Sequence, residues 1–517
     1  MSFRTIPRIA RWLAGASLAL PLAGCDLGPD YRHPALEIPA GYRAASASLV
    51  GSGAPASDWW RGFNSPELDG LIAAALAQNF DIAAAVARVR QADAQLRIAG
   101  AGLFPTVSGT GGANWQRTGI GTRSSSGSST STLGNLGTTG GRSRVVETRS
   151  YNVGLDASYQ LDFWGKNLAG RGAAAATAMF SRFDQETVAL TVLSDVATTW
   201  FSALAFADRL EVARRNLADA EQTLAVIRGR FEAGTANALD IAQQESQVAI
   251  ERAIIPNLTS QLNQQVIGLG ILIGRPPEAI DVSPGTLEAL SLPPVSPGLP
   301  SDLLRRRPDV ASAEAQLVAQ DFDIKVARAA FFPAVQLTSS AGYQAAALGN
   351  LFTPGGQLVS LAAGLTLPIF DGGVLRGQLE QAKGRYDELL ADYRKAVIQA
   401  FTDVDLSLTA WQFASEQERL QRDAVATAQR AAEIARAQMA AGTVDVTTVL
   451  TTEATLFSAE DTLVQVRLAR FQALLNLYKA LGGGWIQPSG EIADQSTPLR
   501  PGQIVGGIAL PVGGNVQ

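Results

Sequence analysis

The sequence predicts a mainly α-helical chain that also carries a membrane β-barrel, organised as an internally duplicated strand-strand-helix-helix repeat. Three observations lead to that class. Between Ala173 and Arg228 there is no proline and no glycine, so nothing in that span forces the backbone out of a helix. A second such stretch, 385–441, follows at a shift of 208 positions, which aligns Asp195-Val196 with Asp403-Val404, Ala233-Gly234-Thr235 with Ala441-Gly442-Thr443, Glu245 with Glu453, and Gly274 with Gly482 without a gap. Finally, four stretches alternate apolar with polar residues, and after residue 25 no run of 18 or more apolar residues offers a transmembrane helix. A membrane-spanning part must then be a β-barrel.

Composition narrows the function classes. The formal net charge of −5 in 517 residues, with lysine and arginine scattered, leaves no basic stripe for nucleic acid. One cysteine, Cys25, and one histidine, His33, exclude an intrachain disulfide and leave almost no material for Cys/His metal sites or histidine triads. No cofactor and no enzymatic activity are expected, because the carboxylates read as solvated helix faces.

In chain order, residues 1–24 read as a signal peptide: Arg4, Arg8 and Arg11 precede the apolar run Trp12 to Ala23, and small residues precede Cys25. The motif Leu22-Ala23-Gly24-Cys25 resembles a bacterial lipoprotein signal, in which Cys25 becomes the lipidated first residue; an ordinary signal peptide with an incidental buried cysteine is the alternative. Residues 25–64 form an arm rich in Pro, Gly, Ala and Ser. The first repeat covers 65–275: a helical segment 65–100, strands 104–116 and 150–163, and a helical hairpin 166–275. In the second strand Tyr151, Val153, Leu155, Ala157, Tyr159, Leu161 and Phe163 alternate with Asn152, Gly154, Asp156, Ser158, Gln160 and Asp162. That length and alternation suit a tilted membrane strand with a polar lumen on one side. Between the strands, 117–144 is a Ser/Gly/Thr tract read as a loop.

The long helix 166–234 repeats apolar residues at three- and four-residue steps, Leu193, Val196, Trp200, Ala203, Ala207, Leu210, then Leu217, Ala220, Leu224, Ile227 and Phe231, which is the coiled-coil spacing. Gly234-Thr235 turns the chain near a C-terminal cap, and the return helix carries Pro256, where a kink or break is expected. Residues 276–300, crowded with proline, link the copies. The second repeat, 301–485, contains a helix, strands 332–343 and 359–370, and a hairpin 372–481 that turns at Gly442-Thr443. Its opening run Arg305-Arg306-Arg307 reads as partners for carboxylates. Residues 486–517 form a tail.

The chain resembles the outer-membrane channels of tripartite efflux systems, the TolC and OprM type, and especially their lipoprotein branch. Five motifs in order carry this likeness: Gly28-Pro29-Asp30-Tyr31, Leu161-Asp162-Phe163-Trp164-Gly165-Lys166, Gly298-Leu299-Pro300-Ser301-Asp302-Leu303-Leu304 leading into Arg306-Arg307-Pro308-Asp309, Pro368-Ile369-Phe370-Asp371-Gly372-Gly373, and Asn476-Leu477-Tyr478-Lys479-Ala480-Leu481-Gly482-Gly483-Gly484-Trp485. The resemblance implies a homotrimer with a 12-stranded barrel continued by a long α-helical periplasmic tube. It further implies a lipid-anchored location in the bacterial outer membrane, with a periplasmic membrane-fusion adaptor and an inner-membrane RND-type pump as partners. Asp26 departs from the usual pattern, being an acidic residue directly after the lipidated cysteine.

On that reading the chain passively conducts drugs or toxic solutes outward. Both helical turns lie at the periplasmic tip, with Asp445 and Asn237 as candidate gate residues and Gly234, Thr235, Gly442 and Thr443 as adaptor-contacting tips. The resemblance places an inward aspartate ring at Asp445, while capping of the return helix is the alternative role. Two other function classes stay open: a trimeric coiled-coil structural or adhesive surface lipoprotein, which needs a binding head, and an enzyme, which needs a catalytic cluster.

Overall fold

The computed structural model describes residues 31–43, 55–120, 144–280, 285–294 and 297–487, with two strand fragments at 504–505 and 508–509. The expected signal peptide and Cys25 lie outside the described residues. The chain divides into two compact units, and neither coincides with a sequence repeat. One is built on Arg97–Gly172 and Phe322–Lys383. The other takes Tyr31–Leu96, Ala173–Asp321 and the residues from Gly384 onward. Each unit therefore draws on both copies.

The first unit holds a four-stranded antiparallel sheet in the order β1 (Thr106–Ile120), β2 (Arg144–Leu161), β3 (Ala334–Ala345), β4 (Gln357–Thr366). Its bounds differ from those expected, for local reasons. Phe104 and Phe332 donate back to Ala101 and Ala329 in a terminal helical turn, so the strands start only after Pro105 and Pro333, which have no N–H to give a ladder. The first hairpin extends to the pair Ile120 and Arg144. Part of the Ser/Gly/Thr tract expected as loop is thus strand, because weak side-chain propensity yields to backbone pairing once a partner strand is aligned. At the other end β4 stops at Thr366, two residues before Pro368.

The helical segment 65–100, most of it in the second unit, is two helices, α1 (Pro66–Gln78) and α2 (Phe80–Ala101). Asn79 is extended, ψ 131°, and its N–H closes α1 on Ala75. Its Oδ1 accepts from the N–H groups of Asp81 and Ile82, 2.8 and 2.9 Å, and so starts α2. Two long hairpins follow: α3 (Lys166–Glu232) with α4 (Ala238–Ile273), and α7 (Val374–Ala440) with α8 (Val446–Ala480). At 67 residues each, α3 and α7 are about 100 Å long. A single turn α5 (Pro300–Leu303) and α6 (Pro308–Ala329) open the second copy.

Two details of the helices bear on what the sequence suggests. Helix α4 runs unbroken through Pro256; Leu258 and its neighbours Ile255 and Leu262 pack on Leu210 and Ala213 of α3, and that packing outweighs the lost backbone bond. Alanine-rich windows in 66–101 and in α3 also reach a mean hydropathy of 1.5 and 1.4. The window in α3 is mostly inside the protein, as a core helix is.

The core gathers Trp59, Phe63, Leu68 and Ile72 with Val196, Trp200, Phe201 and Leu204 of α3, Leu269 and Ile273 of α4, and Phe471, Leu474 and Tyr478 of α8. The linker contributes Leu287, whose N–H donates to Oδ2 of Asp208 at 3.0 Å. The duplication recurs as geometry. Gly274 and its equivalent Gly482 have positive φ, 69° and 84°, and a Cβ on either would strike the carbonyl oxygen of Gln78 or of Arg306. Asn79 donates to Leu272 O, and at the matching place Arg307 donates to Ala480 O. Arg307 also grips Asp309 and Asp403 at 2.6 and 2.9 Å, the carboxylate pairing expected of that arginine run.

Candidate functional site

The register of the sheet sorts its side chains into two unlike faces. Because strand side chains alternate, residues paired across the ladder share a face. On one face Val107, Leu155, Ala341 and Val359 line up with Trp115, Val153, Leu337, Leu361 and Leu365. Apart from the half-buried Leu337 these stay exposed on the single chain, Leu155 at 60% and Leu361 at 81%. On the other lie Ser108, Thr110, Asn152, Asp156, Ser158, Gln160, Gln336, Ser340 and Ser360. That face is cross-linked by its own hydrogen bonds: Thr110 Oγ1 donates to Asp156 Oδ2 at 2.9 Å, Gln336 Nε2 to Ser158 Oγ at 2.8 Å, and the hydroxyls of Ser340 and Ser360 meet at 2.7 Å. One surface suits lipid and the other water. Both edge strands, β1 and β4, have an unpaired side.

Each strand-to-helix junction is pinned by an aspartate. Asp162 accepts from the N–H of Leu168, and Asp371 accepts from the N–H groups of Gly373 and Leu375. Trp164 stacks on Phe332 with centroids 4.8 Å apart and donates to Pro333 O at 2.8 Å, which ties the exit of β2 to the entry of β3. These junction roles were not assigned from sequence, although an aspartate just before a glycine turn and a helix is a capping signal.

At the hairpin turns the sequence-predicted residues fall into two similar loops. Gly234 and Gly442 take φ of 74° and 76°, where a side chain would be strained. Thr235 and Thr443 each close a helix end twice, by N–H and by Oγ1, on Arg230 O and Gln438 O respectively. Asn237 and Asp445 are both N-caps. Asn237 forms a reciprocal capping box with Asp240, both bonds 3.0 Å. Asp445 Oδ1 accepts from Thr448 N–H at 2.9 Å and Thr448 Oγ1 at 2.7 Å, and these bonds, the hydroxyl first, hold its carboxyl below the usual range. The contrast between turns is smaller than amide against acid suggests. Asp240 occupies the repeat position of Thr448, so each turn carries one carboxylate displaced by one helical turn. The Asn-x-x-Asp pattern is the sequence signal that identifies Asp240.

The two turns meet. Arg230 in the last turn of α3 donates to Met439 O in the last turn of α7, and Ile227 packs with Ala435, Met439, Val446 and Val449. Cys25 lies outside the described residues.

A profile of the outer membrane efflux protein family matches residues 71–275 and again 299–483. The chain belongs to that family. It is 40% identical over 472 residues to the pyoverdine export outer membrane protein OpmQ of Pseudomonas aeruginosa, covering 91% of this chain and 96% of that one. It is 32% identical over 493 residues to the toluene efflux pump outer membrane protein TtgC of Pseudomonas putida, with coverage of 95% and 99%. Among solved structures, the outer-membrane channel OprN superposes with a TM-score of 0.81 at 25% identity, covering 89% of this chain and 99% of that one. The two family matches follow the two sequence copies, so the duplication belongs to the fold itself. The chain is an outer-membrane efflux protein of Gram-negative bacteria, with the duplicated fold of the TolC-type channels.

Proposed function

We propose that three copies of this chain close one 12-stranded barrel and a helical tube, forming a passive exit duct through which small molecules leave the cell. The observation that carries this reading is the sheet: apolar on one face, hydrogen-bonded and polar on the other, and open at both edges. A sheet edge facing lipid leaves backbone groups unsatisfied at several kcal/mol each. Pairing β4 of one copy with β1 of the next satisfies them, and 10 to 18 residues per strand suffice to cross a bilayer at a tilt.

The relatives named for pyoverdine and toluene support a small organic cargo. Energy comes from partners in this reading: an inner-membrane RND-type pump and a periplasmic membrane-fusion adaptor, the adaptor meeting the turns at Gly234, Thr235, Gly442 and Thr443. Asp445 and Asn237 form the gate, their cap bonds fixing the turns while their carboxylate and amide face the axis. Cys25 attaches lipid and anchors the amino terminus. The role is transport without catalysis.

Conductance of the purified full chain in planar bilayers, with chemical cross-linking, tests this. Discrete channel events from a cross-linked trimer are expected. A monomer, or a trimer without conductance, overturns the reading and favours a coiled-coil stalk.

A further inference from the structure

Among the described side chains of the polar face of the sheet, Asp156 is the only titratable group. Every other polar position there holds Ser, Thr, Asn or Gln. Its ladder partners are Ser108 and Ser340, and Thr110 Oγ1 donates to Oδ2 at 2.9 Å. The charged pair nearby in the hairpin, Arg117 with Glu147 at 3.6 Å, has the opposite strand parity and belongs to the apolar face. No cation on the described polar face offsets the carboxylate.

We propose that Asp156 is the charge-selecting residue of the barrel lumen, its three copies forming a ring that concentrates cationic solutes and repels anionic ones. The inference rests on the trimeric barrel proposed above. Twelve strands about 4.8 Å apart and tilted about 40° give a backbone radius of about 12 Å. Inward side chains bring the carboxylates to about 8 Å from the axis. That distance is close to the Debye length of about 8 Å at 0.15 M salt, so the three fields overlap at the centre; at 1 M, where screening acts within about 3 Å, they do not. Summing three screened charges in water gives a cation enrichment of about 2.5-fold on the axis, with anions depleted to match. Where Asp156 is the one charged side chain described on the polar face, the wide lumen then imposes a preference by charge alone.

The reporter is Ser360→Cys, on the same face in β4 and opposite Ser340. Intact cells bearing the full chain receive membrane-impermeant cationic or anionic methanethiosulfonate from outside, and the two modification rates are compared with Asp156 intact and with Asp156→Asn. Parent chains without the reporter provide the background. At 0.15 M salt the cationic-to-anionic rate ratio is expected to fall about fivefold on Asp156→Asn, and the difference to vanish at 1 M. An unchanged ratio overturns the charge-selecting role while leaving the barrel standing. A Ser360→Cys that stays unmodified while Leu361→Cys reacts reverses the faces, and removes both the barrel reading and the inference built on it.

Discussion

Arg436 and Glu453 form an ion pair at 2.6 Å in which the carboxylate has no solvent exposure. Arg436 also reaches Asp219 at 2.9 Å, and Thr223 Oγ1 donates to Glu453, so one guanidinium joins α3, α7 and α8. The same two residue types one repeat earlier, Arg228 and Glu245, pair at 2.7 Å with both partners half exposed. Identical sequence spacing thus serves two environments. Removing one partner of a buried pair strands a charge and costs about 3 to 5 kcal/mol, whereas an exposed pair contributes about 1 kcal/mol or less. Arg436→Met is therefore expected to lower the unfolding midpoint of the detergent-extracted protein clearly, and Arg228→Met hardly at all. Equal effects would show that burial does not separate the two copies.

Glu186 in α3 is 3% exposed, and burial pushes its carboxyl up to about 8. Its unfolded value is near 4.3, so the folded state binds the extra proton between these limits. Stability from this group is present below the unfolded value and declines as pH rises towards 8. Glu186→Gln is expected to flatten that slope, stabilising the protein by up to about 4 kcal/mol at pH 8 and negligibly at pH 4. Denaturant titrations at both pH values measure this; a parallel shift at both would refute the assigned cause.

Glu418 shows the opposite sign. Burial raises its carboxyl, but hydrogen bonds from Arg470, Arg422 and Arg467 outweigh that and hold it below its ordinary value. Its stabilisation is expected to be full above the unfolded carboxylate value and lost as pH falls through the lowered folded value. Glu418→Gln should remove that acid dependence in unfolding curves taken from pH 6 down to pH 3. A variant as acid-sensitive as the parent would locate the dependence elsewhere.

The faces of the sheet yield a direct contrast. Arginine on a lipid face costs about 2 to 4 kcal/mol at the bilayer midplane, and far less in a wet lumen. Leu155→Arg is expected to block assembly in the outer membrane, while Ser158→Arg assembles and alters conductance. Fractionation and single-channel recording compare them, and equal tolerance of both would reverse or abolish the faces.

Asp445→Asn keeps a good N-cap and removes one charge per chain, three from the tip of the proposed trimer. Weaker cation selectivity in bilayer recordings, with trimer stability little changed, is expected. Unchanged selectivity and unchanged block by divalent cations would reduce Asp445 to a cap.

The alternating strands, the long helices and the duplication were legible in the sequence because each depends on local periodicity. Asp156 with Ser158 and Leu155 with Val153 sort onto opposite faces by counting in twos, and the turns at Gly234 and Gly442 follow from the positive φ that glycine tolerates. Strand ends were misplaced where two local forces compete, as at Phe104 and Phe332, whose N–H groups finish a helical turn before proline allows a strand to begin. At Pro256 a break is absent for a related reason: the missing donor is local, but the packing of Ile255, Leu258 and Leu262 that keeps α4 continuous is not.

By itself the sequence determined which segments are helix or strand, that the pattern occurs twice, and which strand positions face alike, since these follow from backbone sterics and side-chain period. Only the tertiary structure decided that each compact unit mixes both copies, that Glu453 is buried while Glu245 is exposed, and that Asn79 and Arg307 hold equivalent corners with different chemistry. Those outcomes depend on which surfaces meet across hundreds of residues, and long-range packing decides the solvation of each charge without leaving a mark in the local pattern.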